Sequence, residues 1–266
     1  MQLPTNPFAA SLGDETRYGC WAGFATGYAT EILATTGFDW LLIDGEHAPN
    51  TVQSILAQLQ AVAPYPCAPV VRAVSQDPAL IKRLLDIGAQ SLMIPMVDNA
   101  EQAARLVAAT RYPPNGIRGV GGGLTRATRW DSVDDYMTHA HEALCLIPQI
   151  ESRNGVENAE AIAATPGIDA VFVGPMDLST DAGHLGNPSH PDVQAMIRRV
   201  LKATKDAGKR AGILAPAEAD ARRYAGWGFD FIAVGIDVSL LCQAARETIA
   251  RYKHDLPQAA KSGPGY

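Results

Sequence analysis

Residues 38–50 read Phe38-Asp39-Trp40-Leu41-Leu42-Ile43-Asp44-Gly45-Glu46-His47-Ala48-Pro49-Asn50, and an amphipathic stretch from Thr51 to Ala63 follows. The run Trp40 to Asp44 is short, apolar and stopped by a charge, as a buried strand is, whereas the segment behind it has helical periodicity. A strand, a polar exit and a helix make one βα unit. The same unit recurs outward in both directions. With Trp40 to Asp44, the strand-like runs are eight: Gly19 to Phe24, Pro69 to Ala73, Ser91 to Pro95, Leu144 to Ile150, Ala170 to Gly174, Arg210 to Leu214 and Phe231 to Gly235. Helical patterns between them include Pro78 to Ile87, Ala100 to Thr110, Asp192 to Ala207, Ala217 to Gly226 and Val238 to Tyr252. Gly37, Gly88, Gly208 and Gly228 precede the next strands, where a helix C-terminus favours glycine.

Eight such units in about 250 residues are the size of one (β/α)8 TIM barrel. The expected organisation is an α/β chain with a single barrel over residues 1–256 and a flexible tail over 257–266, rich in Pro and Gly. A doubly wound open sheet is the alternative. Gly119-Val120-Gly121-Gly122-Gly123 lacks the G-x-G-x-x-G spacing of a dinucleotide loop and reads as a mobile loop. It lies inside the long irregular stretch Tyr112 to Trp130, and loops of that length in compact domains are usually functional.

Composition narrows the partners. Of 266 residues, 47% are hydrophobic and 19% charged, enough to bury a sizeable core. Twenty-eight acidic against twenty-two basic residues give a net charge of -6, and no basic run exceeds pairs such as Arg198-Arg199 and Arg222-Arg223. No nucleic-acid partner is expected, because phosphate binding needs a concentrated positive patch. No membrane partner is expected either, since the apolar runs stop well short of about 18 residues. The first residues lack the basic and apolar regions of a signal peptide, so the expected location is cytoplasmic. Cys20, Cys67, Cys145 and Cys242 contain no C-x-x-C pair and read as reduced thiols.

In a barrel the active site forms at the C-terminal ends of the strands. The polar residues found there are Asp44-Gly45-Glu46-His47, Arg72, Gln149 with Glu151, and Asp177 after Gly174-Pro175-Met176. Glu151 and Asp177, from neighbouring strands, can give two carboxylates to a hard cation such as Mg²⁺ or Mn²⁺. The bland alternative is two solvated acids paired to Arg153 or Arg118. His47 is placed to act as a general base near neutral pH, with Asp44 able to orient it. Arg72 points into the barrel mouth, where a fixed cation suits a carboxylate or an enolate oxygen; an ion pair with Asp44 or Asp86 is compatible with that role. Gln149 and Glu151 alternate along one strand and face the same way. The remaining histidines, His139, His141, His184, His190 and His254, sit in helical or loop stretches and read as surface groups. Lys82, Lys202, Lys205, Lys253 and Lys261 fall in helices or the tail, and Lys209 precedes its strand, which disfavours a Schiff base and leaves a metal as the electron sink.

The stretch from Phe38 to Asn50 closely resembles the class II, metal-dependent pyruvate aldolases of the HpcH/HpaI family, which cleave 4-hydroxy-2-oxoheptanedioate. Thr110 to Gly121, Gln149-Ile150-Glu151, Val173 to Ser179 and Phe231 to Asp237 continue the resemblance in order along nearly the whole chain. It implies His47 as the base acting on pyruvate's methyl group through a water on the metal, with Asp44 and Asp86 supporting its basicity. It implies Arg72 as the group that binds the pyruvyl oxygen, and Glu151 and Asp177 as metal ligands. Gln149 and the backbone at Met176 would hold pyruvate's carboxylate and keto oxygen, with Asp177 beside them. The implied cofactor is Mg²⁺, Mn²⁺ or Co²⁺, and the implied assembly is a homohexamer that exchanges its last helices.

Two departures fall where substrate would be read. Met176 stands where relatives commonly have alanine, and Gly122-Gly123-Leu124-Thr125 replaces a more Ser/Ala-rich stretch. The expected reaction is reversible cleavage of a 4-hydroxy-2-oxo acid to pyruvate and an aldehyde, succinic semialdehyde in the family's usual case. A 2-keto-3-deoxy sugar-acid aldolase and a 2-oxo acid decarboxylase are the rivals. Arg118, Arg126 and Arg129 can bind a distal carboxylate, lie in solvent or meet a neighbouring subunit.

Overall fold

A computed structural model describes residues 1–253. The expected tail 257–266, residues 254–256 of the expected barrel segment, His254 and Lys261 lie outside the described residues. Eight parallel strands pair in chain order and close on themselves: β1 (Arg17–Ala22), β2 (Trp40–Asp44), β3 (Ala68–Arg72), β4 (Ser91–Ile94), β5 (Cys145–Ile150), β6 (Ala170–Val173), β7 (Arg210–Leu214) and β8 (Phe231–Ile236). The (β/α)8 barrel expected from the strand–helix alternation is the fold, and the doubly wound alternative is excluded by the pairing of β8 with β1.

Side-chain direction alternates along a strand, so in a closed barrel every second residue points inward. Trp40 and Leu42, Ala68 and Val70, Cys145 and Ile147, and Ala170 and Phe172 form one inner cluster with Trp21, Met93, Phe231 and Ala233. Their neighbours Ile43, Val71, Leu146, Val171 and Val173 face the surrounding helices in a separate cluster. Phe8, on a short helix Pro7–Ser11, joins the inner cluster, with its ring 5.7 Å from Trp40 and 5.2 Å from Phe231. The barrel interior is thus filled with side chains, leaving polar chemistry to the rim.

The six expected helices form as Val52–Val62, Pro78–Asp86, Ala100–Thr110, Pro191–Asp206, Glu218–Trp227 and Asp237–Ala250. Their starts are capped in the usual way: Thr51 and Ser54 cap reciprocally, and Asn99 accepts from the Gln102 N–H at 2.9 Å. Gly37, Gly88, Gly208 and Gly228 have φ of 95°, 96°, 70° and 97°, the left-handed geometry expected at helix ends. Helices not anticipated include Pro7–Ser11, Gly27–Ala34, which opens on glycine, and the short Arg153–Glu157, Ala159–Ala164 and Pro175–Asp181. The last three have lengths of only 5, 6 and 7 residues, too short to display a period. Among the described residues no helix is long and apolar enough to cross a membrane.

Two inward positions carry no side chain for a steric reason. A Cβ on Gly19 would lie 2.2 Å from the Trp40 ring, and one on Gly212 would lie 2.2 Å from the Phe231 ring. Both rings are wholly buried and have nowhere to retreat. Gly212→Ala is expected to destabilise the protein by about 1–3 kcal/mol through overpacking. Gly226→Ala, on a helix with nothing within 4 Å, is expected to be neutral or to stabilise by under about 1 kcal/mol. Urea denaturation midpoints of the two variants test this pair.

Candidate active site

The parity that fills the barrel also selects its rim. Inward positions continue from Leu42 to Asp44, from Val70 to Arg72, from Ile147 to Gln149 and from Phe172 to Gly174. Asp44 and Arg72 are direct partners in the β2–β3 register. Arg72 binds Asp44 through both edges of its fork, Nε to Oδ1 at 2.8 Å and Nη2 to Oδ2 at 2.7 Å. Its third nitrogen, Nη1, lies 2.9 Å from Glu46 Oε2, and its guanidinium carbon is 5.6 Å from the Trp21 ring centre. Burial pushes the Asp44 carboxyl up, but the Arg72 hydrogen bond and charge more than offset this and hold it below the usual carboxylate range. Burial likewise opposes the Arg72 charge, and Asp44, then Glu46 and Glu151, keep it above its ordinary value.

Glu151 follows β5 and is 3% exposed. Oε1 accepts from the Met96 N–H at 2.8 Å, and Oε2 accepts from Gln149 Nε2. Gly174 makes this possible, since a Cβ there would stand 2.4 Å from Glu151 Oε2 and 2.7 Å from Gln149 Nε2. Burial raises the Glu151 carboxyl to about 8; the Met96 hydrogen bond opposes this, while the charges of Asp177 and Glu46 add to it. Gln149 Oε1 is buried without a hydrogen-bond partner. The buried Glu151 carboxylate, with the exposed Asp177 acting on it and an unpaired amide oxygen beside it, fits a hard divalent cation with oxygen ligands.

A cavity of about 330 Å³ opens on this rim, lined by Trp21, Asp44, His47, Arg72, Gln149 and Asp177 at its polar side and by Ala48, Pro49, Met176, Leu214 and Val238 at its apolar side. Met176 and Asp177 come from the first turn of helix Pro175–Asp181. No lysine is among the residues lining this cavity. Arg153 and Arg118 pair elsewhere, with Asp181 and Asp86, so neither neutralises Glu151 or Asp177.

Within one chain the geometry sets the partners of these expected residues. The His47 side chain is 60% exposed, with Nε2 3.8 Å from Glu46 Oε2, so its acidic neighbour is Glu46. Asp44 lies beside Arg72 in the strand register and also accepts from the backbone N–H groups of Glu46 and His47. Asp86 ends the helix that leads into the start of β4, which puts it at the opposite end of the barrel from His47; it binds Arg118 Nη2 at 2.9 Å and not Arg72. Arg118 is not solvated: it is buried, 4.6 Å from the Tyr112 ring centre and 5.9 Å from that of Tyr136. Arg126 donates to the Ile87 carbonyl at 3.0 Å. The glycine-rich loop is pinned by Thr125 and Thr128, whose hydroxyls reach the Gly122 carbonyl at 3.0 and 3.1 Å.

Trp21, Glu46 and Asp237 were not assigned roles from sequence. Trp21 was legible as an inward position two residues from Gly19. Asp237, like Asp177, opens a helix directly after a strand, and that placement was the available signal. Its buried carboxylate accepts from the N–H groups of Gly23 at 2.9 Å, Phe24 at 3.1 Å and Val238 at 2.7 Å, fixing the exit of β1 over the rim.

Removing one partner of a buried ion pair costs about 3–5 kcal/mol, far more than removing both. Asp44→Asn is therefore expected to destabilise by roughly 3 kcal/mol, and the double variant Asp44→Asn/Arg72→Gln to recover part of that loss in a double-mutant cycle. Strictly additive urea-denaturation energies would contradict the pairing.

Comparison with known proteins places this rim in a family. The model described as HpcH/HpaI aldolase/citrate lyase matches residues 17–244. A hydroxypyruvate/pyruvate aldolase of Chromohalobacter salexigens is 79% identical over 253 residues, covering 95% of this chain and 100% of that protein. A 4-hydroxy-2-oxo-heptane-1,7-dioate aldolase of Salmonella typhi is 53% identical over 245 residues, covering 92% and 93%. The crystal structure of an HpcH/HpaI aldolase/citrate lyase family protein from Burkholderia cenocepacia superposes with a TM-score of 0.90 at 44% identity, covering 93% and 99%. The chain belongs to the HpcH/HpaI aldolase/citrate lyase family, and it is an aldolase of that lyase family.

Proposed function

We propose that the protein is a divalent-metal-dependent aldolase that makes and breaks the bond between the enolate of pyruvate or hydroxypyruvate and an aldehyde. The observation that carries this is the placement of one buried guanidinium, Arg72, among Asp44, Glu46 and Glu151 at the mouth of an otherwise apolar barrel. Glu151 and Asp177 would hold the cation, Mg²⁺, Mn²⁺ or Co²⁺. When bound, the cation supplies positive charge against the developing enolate.

The chain's own residues supply the rest. Arg72, locked by Asp44, offers a fixed cation to the pyruvyl oxygen and needs no reorganisation as charge develops there. The Gln149 amide and the backbone at Met176 orient the 2-oxo acid. His47 takes the methyl proton, with the Glu46 carboxylate 3.8 Å from its Nε2. The carbanion attacks the aldehyde carbon, and the new alkoxide takes a proton, giving a 4-hydroxy-2-oxo acid. Cleavage is the same path reversed.

The acceptor side is lined by Ala48, Pro49, Met176, Leu214 and Val238, and Arg72 is the sole Arg or Lys lining the cavity among the described residues. That lining favours short uncharged aldehydes. Donor choice follows the relatives named hydroxypyruvate/pyruvate aldolase at 79% and 53% identity. Cleavage of 4-hydroxy-2-oxoheptanedioate to pyruvate and succinic semialdehyde is the second reading, favoured by the relative of that name at 53% identity. A deoxy sugar-acid substrate or a decarboxylation ranks below both.

The working assembly is read as a cytoplasmic homohexamer that exchanges its last helices. What supports exchange is the helix Asp237–Ala250, in which Leu240, Leu241 and Ile249 are exposed and only Asp237 is buried. Asp86, distant from its own His47, would then serve a neighbour's site.

Pyruvate release should be measured from 4-hydroxy-2-oxoheptanedioate, from the aldol adduct of hydroxypyruvate with a short aldehyde (reading hydroxypyruvate), and from a 3-deoxy-2-oxo sugar acid. Cleavage is expected to stop with EDTA, return with Mg²⁺ or Mn²⁺, and drop by about 100-fold or more in His47→Ala, the scale of a lost general base. No cleavage of any substrate, with metal bound, contradicts the aldolase mechanism.

A further inference from the structure

Outside the rim, His184, His190 and Asp192 meet where the chain passes from helix Pro175–Asp181 into helix Pro191–Asp206. Asp192 Oδ2 lies 3.3 Å from His184 Nε2 and 3.6 Å from His190 Nδ1. Among the described residues this is the one group of three or more His, Cys, Asp or Glu side chains whose ligand atoms all lie within 4.8 Å of one another. The two imidazoles stack with ring centres 3.5 Å apart and planes 15° from parallel, and both turn a nitrogen to the same carboxylate oxygen. None of the three lines the catalytic cavity.

Donors held at about 2.0–2.1 Å in a tetrahedron stand roughly 3.3–3.4 Å apart, close to the two oxygen–nitrogen separations. An ion lies in the plane of each imidazole that ligates it, so the stacked rings must open from their near-parallel setting to share one. The two side chains are 26% and 33% exposed, which leaves the rings room to turn and a side open to water. His190 Nδ1 also accepts from the Asp192 N–H, but at 3.3 Å that is a long bond, easily exchanged for a stronger one. The positive end of helix Pro191–Asp206 opposes a cation, and the Asp192 carboxylate in its first turn offsets this. Gly183 and Gly186, at φ of 82° and 69°, bracket the His184 segment and let it close on the helix.

We propose that His184, His190 and Asp192 form a second metal site, separate from Glu151 and Asp177, that binds a borderline divalent ion of the zinc, nickel or copper class with water completing its shell. Two imidazoles and one carboxylate select such ions, whereas the all-oxygen rim selects magnesium or manganese. The ion clips the 182–190 segment to the start of the following helix. The helix before that segment carries Asp177, so occupancy stiffens the support of the rim.

The test is zinc titration by calorimetry on tag-free protein kept in excess Mg²⁺, comparing the wild type with His184→Gln, His190→Asn and Glu151→Gln/Asp177→Asn. Asparagine at 190 retains a helix-capping acceptor, so its metal-free stability stays close to that of the wild type. The expected result is one zinc per chain, retained in Glu151→Gln/Asp177→Asn. In both histidine variants the affinity should fall by more than the roughly 10–100-fold seen when an outer-shell partner is lost. Zinc binding that survives both histidine changes, that disappears only with the rim carboxylates, or that is absent from the wild type overturns the proposal. The rim variant also separates this site from the aldolase mechanism, whose failure would leave the zinc stoichiometry unchanged.

Discussion

A guanidinium turned into a barrel must be matched at every nitrogen or lose far more in desolvation than it gains. Arg72 meets that demand because β2 and β3 are in register, so Asp44 stands directly beside it, and because Glu46, two residues further, turns back to take the remaining nitrogen. The pair is fixed by backbone hydrogen bonds of the sheet and not by a loop. A fixed cation at the mouth of an apolar barrel is what distinguishes this rim from a surface cluster of charges.

The pair does not neutralise the rim. Asp44, Glu46 and Glu151 gather around one guanidinium, and the consequence appears at Glu151, whose carboxyl is raised to about 8 by burial, with the charges of Asp177 and Glu46 adding. Gly174 is the steric condition for this crowding, since any side chain there would occupy the space of Glu151 and Gln149. A divalent cation held there would answer both the crowded charge and the unpaired Gln149 oxygen.

Much of this was legible in the chain because a barrel converts parity into position. Once Trp40, Leu42 and Asp44 are one face of a strand, the last of them is a rim residue, and the same count finds Arg72 and Gln149. Parity says nothing about partners across the barrel or at its ends. It does not tell that the register also sets Asp44 beside Arg72, or that connectivity carries Asp86 to the far end of its own barrel. Glu46 lay in plain view beside His47 and shares the parity of Asp44, but it stands beyond the last residue of β2, and only the turn after the strand brings it to Arg72. Asp237 gave no periodic signal, as it acts on backbone N–H groups more than two hundred residues earlier in the chain.

The central claim is that this rim draws a proton from the methyl group of pyruvate, whatever aldehyde follows. Proton NMR of pyruvate in D2O, with enzyme and Mg²⁺ but no aldehyde, tests it most directly. The account predicts loss of the methyl signal, arrested by EDTA and strongly slowed in Arg72→Lys, which keeps the charge but cannot reproduce the fork to Asp44. A methyl signal that persists with Mg²⁺ demonstrably bound, or that exchanges equally well after EDTA and in Arg72→Lys, would contradict it.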